Sequence, residues 1–196
     1  MAEKSASPYS VALIVGSVSE PSLNRKLADA LALLAPSAGL ELADVPIGQL
    51  PHFGSHLQKK EDYPDIGRAF KDAVDSADGL LIVTPEYNRS IPGVLKNAVD
   101  WASRPVGESS FTGRPTAVIG MSKGAISTAV AQNHLKAILS AQGAQVLGSP
   151  EAYIRYRDGL IDDEGAVTDA STEKFLVRFL TSFHELIARF SLAIDK

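Results

Sequence analysis

The stretch GLLIVTPEYNRSIPGVLKNAVDW, Gly79 to Trp101, holds the decisive pattern of the chain. Its first part, GLLIVTP, is an apolar run without alternation, which reads as a strand buried on both faces. Its last part, from Val94 to Ala102, reads as a helix. Between them lies a crowded polar turn bounded by Pro85 and Pro92, where a strand-to-helix turn needs only a few small residues.

The same alternation of elements extends outward in both directions. SVALIVGS (Ser10 to Ser17) and PTAVIGMS (Pro115 to Ser122) are further buried strands, and AQVLGSP (Ala144 to Pro150) is a weaker one. LELADVP (Leu40 to Pro46) alternates apolar and polar residues, as an edge strand does. Leu23, Leu27, Ala30, Leu31 and Leu34 recur at helical spacing, and other helical patterns cover about Asp65 to Ala77, Ser127 to Gln142 and Thr172 to Leu192. A helix follows each of five strands, which predicts an α/β domain: a three-layer α/β/α sandwich around a five-stranded parallel sheet. Right-handed crossovers and five strands favour the flavodoxin-like order 2-1-3-4-5 over a six-strand dinucleotide fold. Ligands in such folds sit beyond the carboxyl ends of the strands, so the informative residues follow Val15, Val83 and Gly120.

Composition narrows the function. The 196 residues suit a single domain over the whole chain, with residues 1–8 expected as a disordered tail. A net charge of −4, dispersed along the chain, gives no basic stripe for nucleic acid. No apolar run approaches the ~20 residues of a membrane helix, and the polar N-terminus lacks a signal peptide's apolar core, so a cytoplasmic location is expected. With no cysteine, any redox activity must come from a bound cofactor.

After the first strand comes GSVSEPSLNRKLA. Gly16, Ser17, Ser19, Ser22 and Asn24 lead into a helix whose free N–H groups and dipole favour an anion, while hydroxyls and an amide donate to phosphate oxygens. The other reading is that Ser22 only caps the helix and the other serines fill the loop. Neither G-x-G-x-x-G nor G-x-x-x-x-G-K-[ST] occurs, which disfavours a Rossmann dinucleotide or P-loop nucleotide and leaves a lone monophosphate, as in FMN. In the second turn, prolines at 85 and 92 would stiffen the backbone against a flat ring, with Tyr87 and Asn88 supplying contacts and Gly93 admitting the chain to the helix. The alternative is that Tyr87 packs on the protein and Glu86 and Asn88 cap the helix.

PEYNxSxPGxLKNxxDW resembles the signature of the NADPH-dependent FMN reductase family, flavodoxin-like quinone, chromate and azo-compound reductases. The resemblance spans about Val11 to Phe190 and includes a first-loop pattern, roughly G-S-x-R-x-x-S-x-N, and a third loop, GMSKGAIST. It implies that Ser17, Ser19, Ser22, Leu23 and Asn24 surround the FMN phosphate, that Pro85, Glu86, Tyr87 and Asn88 line the isoalloxazine ring, and that Ser122, Lys123 and Gly124 stand near its other edge. Ser19 departs from the pattern, which has arginine there, so a charge-assisted phosphate contact is lost. Arg25 either compensates or faces solvent. Arg89 is a candidate substrate-binding residue, leaning over the open face of the ring toward an anionic substrate or the nicotinamide nucleotide, or else it is an ordinary solvated arginine.

Other residues carry less. His134 has no second ligand at metal spacing and reads as structural or interfacial. His52 and His56 lie in a long connection, Pro46 to Tyr63, that borders either the active site or a subunit contact. Leu95 and Trp101 suit core or a dimer surface, and YIRYRDGLIDDEGAVTD reads as a short hairpin or excursion. No Ser-His-Asp set can be argued, since the serines lie in the loops of the expected site, and no metal site is found. The resemblance implies an oxidoreductase passing two electrons from NADPH or NADH through FMN to a small-molecule acceptor such as a quinone, chromate, an azo or nitro compound or free flavin. It needs no side-chain acid or base and works as a homodimer or homotetramer. The rivals are a flavodoxin-type electron carrier and a flavin-free binding module on the same scaffold.

Overall fold

The computed structural model describes residues 7–194, with side chains through 191; residues 1–6 of the expected tail lie outside the described residues. Six strands form one sheet. β1 (Tyr9–Val15) lies between β2 (Leu40–Asp44) and β3 (Gly79–Val83), and β4 (Pro115–Ser122) follows on the far side of β3. All neighbours are parallel, and with β5 (Gln145–Val146) beside β4 the order is β2-β1-β3-β4-β5, as expected. β2 is the edge, and its alternation follows from that: only one of its faces is covered.

Successive residues of a strand face opposite layers. In β3, Leu81 and Val83 join a core with Leu27 and Leu31 of α1 (Leu23–Leu34) and Phe179 and Phe183 of α5 (Ala170–Ile194). Leu80 and Ile82 join the opposite core, with Phe70 and Val74 of α2 (Asp65–Asp75), Leu95 and Trp101 of α3 (Gly93–Ala102), and Leu135 and Leu139 of α4 (Ala129–Ala141). The run GLLIV is therefore apolar throughout because both of its faces are interior.

The fifth sheet position departs from the reading of Ala144 to Pro150 as one strand. β5 is only Gln145–Val146, paired with Pro115 and Thr116; the chain then leaves the sheet and returns as β6 (Ala152–Arg155), paired with Ile119 to Ser122. Gly148 offers no side chain to pack and Pro150 no N–H for the ladder. Beyond them Ala152 and Ile154 are buried and Tyr153 and Arg155 are not, the period of two that the charged surroundings mask. The rest of that segment is a hairpin closed by an Ile161–Val167 bridge, with Leu160 and Ile161 buried.

Gly120, near the carboxyl end of β4, marks a close approach. A Cβ there would collide with the Thr84 carbonyl oxygen and the Thr128 hydroxyl, one of them rigid backbone. Gly120→Ala is expected to lower the unfolding free energy by about 3 kcal/mol, read from the denaturation midpoint.

Candidate functional site

Three turns meet at the carboxyl rim of β1, β3 and β4. In the first, Ser22 caps α1: its Oγ accepts from the Arg25 N–H at 3.2 Å. The capping reading holds, yet the Ser22 O–H hydrogen stays free to donate. The first-turn N–H groups of Leu23 and Asn24 are ones a helix leaves without an internal acceptor, so this end of α1 presents donors and a positive dipole. Ser17 Oγ accepts from the Ser19 N–H at 3.3 Å, curling the loop.

Asn24 is 3% exposed and its amide is engaged on both sides. Nδ2 donates to the Met121 carbonyl at 3.0 Å, and Oδ1 accepts from the Met121 N–H at 2.9 Å. The reason lies in the sheet. The Ile119 carbonyl accepts from the Thr84 N–H, after which the chain turns away from β4. Met121, two residues on, faces the same side with no strand beside it. Asn24 takes the place of the missing strand and ties the first turn to the third.

The second turn resolves into a tight hairpin. Tyr87 and Ser90 exchange N–H···O bonds of 2.9 and 3.0 Å, and the residues between them, Asn88 and Arg89, have φ of 51° and 64°. Positive φ at both central residues defines a type I′ turn. Three bonds pin it. Glu86 Oε2 accepts from the Val130 and Ala131 N–H groups at 3.0 and 3.1 Å; Ser90 Oγ bonds His134 Nδ1 at 3.1 Å; and the Tyr87 and Ser19 hydroxyls meet at 3.0 Å. Thr128, the residue before α4, makes no side-chain cap of its own. Glu86 supplies that cap from 44 residues away, and this accounts for the acid in the turn.

The third turn contributes Met121, Ser122 and Lys123. Ser122 Oγ accepts from the Gly124 N–H at 3.1 Å, and Lys123 Nζ stands 5.6 Å from the centre of the Tyr156 ring. Together the turns enclose a cleft of about 240 Å³ lined by Ser17, Ser19, Ser22, Leu23, Asn24, Pro85, Glu86, Tyr87, Ser122 and Lys123, with Pro21 and Met121. Of the residues expected at the site, Asn88, Arg89 and Gly124 stand outside this lining. Pro21 and Met121 were not foreseen; Met121 is the last buried residue of an apolar strand and gives no polar signal. Arg25 does not face the cleft as a free cation, since Asp44 Oδ1 holds its NH1 at 2.8 Å.

The long connection before α2 packs on α3. Asn97 accepts from the Phe53 N–H at 2.8 Å and donates to the Pro51 carbonyl, which also takes the Trp101 indole N–H at 2.8 Å. Trp101 is fully buried, with the Phe53 and Tyr63 rings edge-on at 5.2 and 5.0 Å. Groups with clear pKa shifts lie away from the cleft. Burial lowers that of Lys71, which hydrogen-bonds Ser110 and the Glu108 carbonyl. Burial and the hydrogen bond to Glu151 push Tyr153 up to about 12.

A family model described as NADPH-dependent FMN reductase matches residues 9–158, which include all three turns. The chain belongs to this family. Among its relatives in the NADPH-dependent FMN reductase family, a 2-hydroxy-1,4-benzoquinone reductase of Burkholderia is 47% identical over 173 residues, 88% of this chain and 93% of that protein. A quinone reductase of Pseudomonas putida is 43% identical over 175 residues, 89% of this chain and 92% of that one. The solved structure of FerB, a flavoenzyme NAD(P)H:(acceptor) oxidoreductase of Paracoccus denitrificans, superposes with a TM-score of 0.87 at 43% identity, covering 92% of this chain and 98% of that chain.

Proposed function

We propose that this chain is an FMN-dependent NAD(P)H oxidoreductase that delivers two electrons to a quinone. The observation that carries the reading is the convergence of three turns on one cleft, with hydroxyls and helix N–H groups at one end and a rigid aromatic turn at the other. The donor set fits FMN: Ser17, Ser22 and the Leu23 and Asn24 N–H groups suit a phosphate, and Pro85 to Asn88 suit a ring. At about 240 Å³ the cleft is shallower than an enclosed ligand pocket of roughly 300–1,000 Å³, so a flat ligand seated there keeps a face open to a second molecule. FMN, when bound, supplies the redox chemistry. The protein binds and orients, and no side chain is required as acid or base.

Anaerobic NADPH or NADH added to FMN-loaded protein is expected to bleach the visible flavin absorbance, and a quinone to restore it. A flavodoxin-type carrier would hold FMN without bleaching. A flavin-free module would leave the fluorescence of added FMN unquenched. Chromate, azo and nitro compounds and free flavin are further acceptors within this proposal. So are a cytoplasmic location and assembly as a homodimer or homotetramer, the latter supported by the exposed Val18, Tyr87 and Ile126 in the three rim turns.

Among the described residues, the proposed phosphate end holds no uncommitted cation. Arg25 is held by Asp44 and Lys26 pairs with Asp163, while Ser19 occupies the position of a family arginine. Ser19→Arg is therefore expected to tighten FMN about tenfold, the size of one charge-assisted hydrogen bond, as measured by fluorescence quenching.

A further inference from the structure

Arg89 sits where its backbone gains nothing from being arginine. It is the second central residue of a type I′ turn, a position that favours glycine, and its φ of 64° is one that L side chains rarely adopt. Asn88 before it suits such a conformation; arginine does not. Nor does the side chain repay the strain by packing. It is 70% exposed, and its one polar partner among the described residues is Glu86 Oε1 at 3.2 Å, the oxygen that does not cap α4. Strain kept for a single, largely exposed ion pair points to a ligand.

The surroundings narrow which ligand. Arg89 is two residues from Tyr87, which lines the cleft, and is not itself part of the lining. The proposed phosphate donors belong to the first turn, so the charge of FMN is provided for elsewhere. An uncharged quinone has no use for a cation. In a cycle that runs between the nicotinamide nucleotide and such a quinone, the nucleotide brings phosphates that no residue of the cleft accounts for. Lys123, the one cation in the lining, is taken up over the Tyr156 ring.

We infer that Arg89 is the residue that recognises the phosphates of the nicotinamide nucleotide, and that with an uncharged acceptor it acts in the reductive half of the cycle only. The guanidinium forks onto two phosphate oxygens, exchanging its exposed pairing with Glu86 for a desolvated one. This rests on the proposed oxidoreductase reading and names the specificity element of that site.

Arg89→Gly tests it. In steady-state kinetics the ratio of kcat/KM for NADPH to kcat/KM for an uncharged benzoquinone is expected to fall about tenfold, and Arg89→Lys to recover part of it. Without turnover, ADP-ribose and its 2′-phosphorylated form, titrated into FMN-loaded protein by calorimetry, are expected to bind the glycine variant about tenfold more weakly. Equal loss for both assigns Arg89 to the diphosphate; loss for the phosphorylated form alone assigns it to the 2′-phosphate. An unchanged ratio with unchanged binding of both probes overturns the inference, as does a loss confined to the benzoquinone. Failure of the wild-type flavin to bleach with either nucleotide sinks the oxidoreductase reading instead, so the two outcomes are separable.

Discussion

Asn24→Ala is expected to lower the unfolding free energy by about 3 kcal/mol and to weaken FMN at least about tenfold. The alanine leaves the Met121 N–H and carbonyl without partners inside the protein, and each buried orphan costs about 1–3 kcal/mol. No neighbouring strand can take them, because β3 ends at Val83 and the chain turns away. The same substitution unties α1 from β4, so the helix end that presents donors is no longer registered against Ser122 and Lys123. Asn24→Asp separates the two effects. It keeps the acceptor for the Met121 N–H, loses the donor to the carbonyl and buries a charge, so it is expected to destabilise at least as much as alanine. Urea denaturation and FMN titration of both variants check this. A stability within about 0.5 kcal/mol of the wild type would show that the Met121 groups find other partners.

Glu86→Ala is the second large effect. Its carboxylate is the acceptor for two N–H groups at the start of α4, and its side chain is only 9% exposed. Removal is expected to cost about 2–3 kcal/mol. The loss in flavin binding should exceed what stability alone would suggest, because the turn proposed to meet the ring is released from α4. Glu86→Gln is the informative partner. A single oxygen, Oε2, accepts from both N–H groups, so the glutamine carbonyl can replace it, losing only the Arg89 pair and the attraction of a full charge to the helix dipole, about 1 kcal/mol. Near-normal FMN affinity in the glutamine variant and a large loss in the alanine variant are the expected outcome. Equal losses in both would mean that charge, and not the cap, is what the turn requires.

Both predictions concern residues that the sequence marks as part of the cofactor site, and in both the structure shows a side chain spent on the protein. Asn24 and Glu86 hold the turns in register, leaving backbone N–H groups, serine hydroxyls and the Tyr87 ring to face a ligand. Ser22 is similar, being a helix cap whose hydroxyl hydrogen remains available. A motif residue therefore contributes to a site by being near the ligand or by fixing what is near it, and a pattern of letters does not separate the two roles.

The layers, the strand order and the rim where the three turns converge were legible in the chain itself. Unbroken apolar runs such as GLLIV report burial on both faces, helical spacing reports a single buried face, and both signals arise from neighbours in sequence. The family signature added the cofactor on the same local footing. What only the tertiary structure decided is who pairs with whom across long separations. Asn24 meets Met121 97 residues on, Glu86 caps a helix 44 residues on, and Asp44 holds Arg25 at the start of α1. It also decided that the fifth strand breaks at Gly148 and resumes at Ala152, and that Arg89 occupies a left-handed turn position. Periodicity encodes which side of an element is buried. The partner of a polar group depends on which backbone atoms the folded sheet leaves unpaired, and that is settled when distant segments come together.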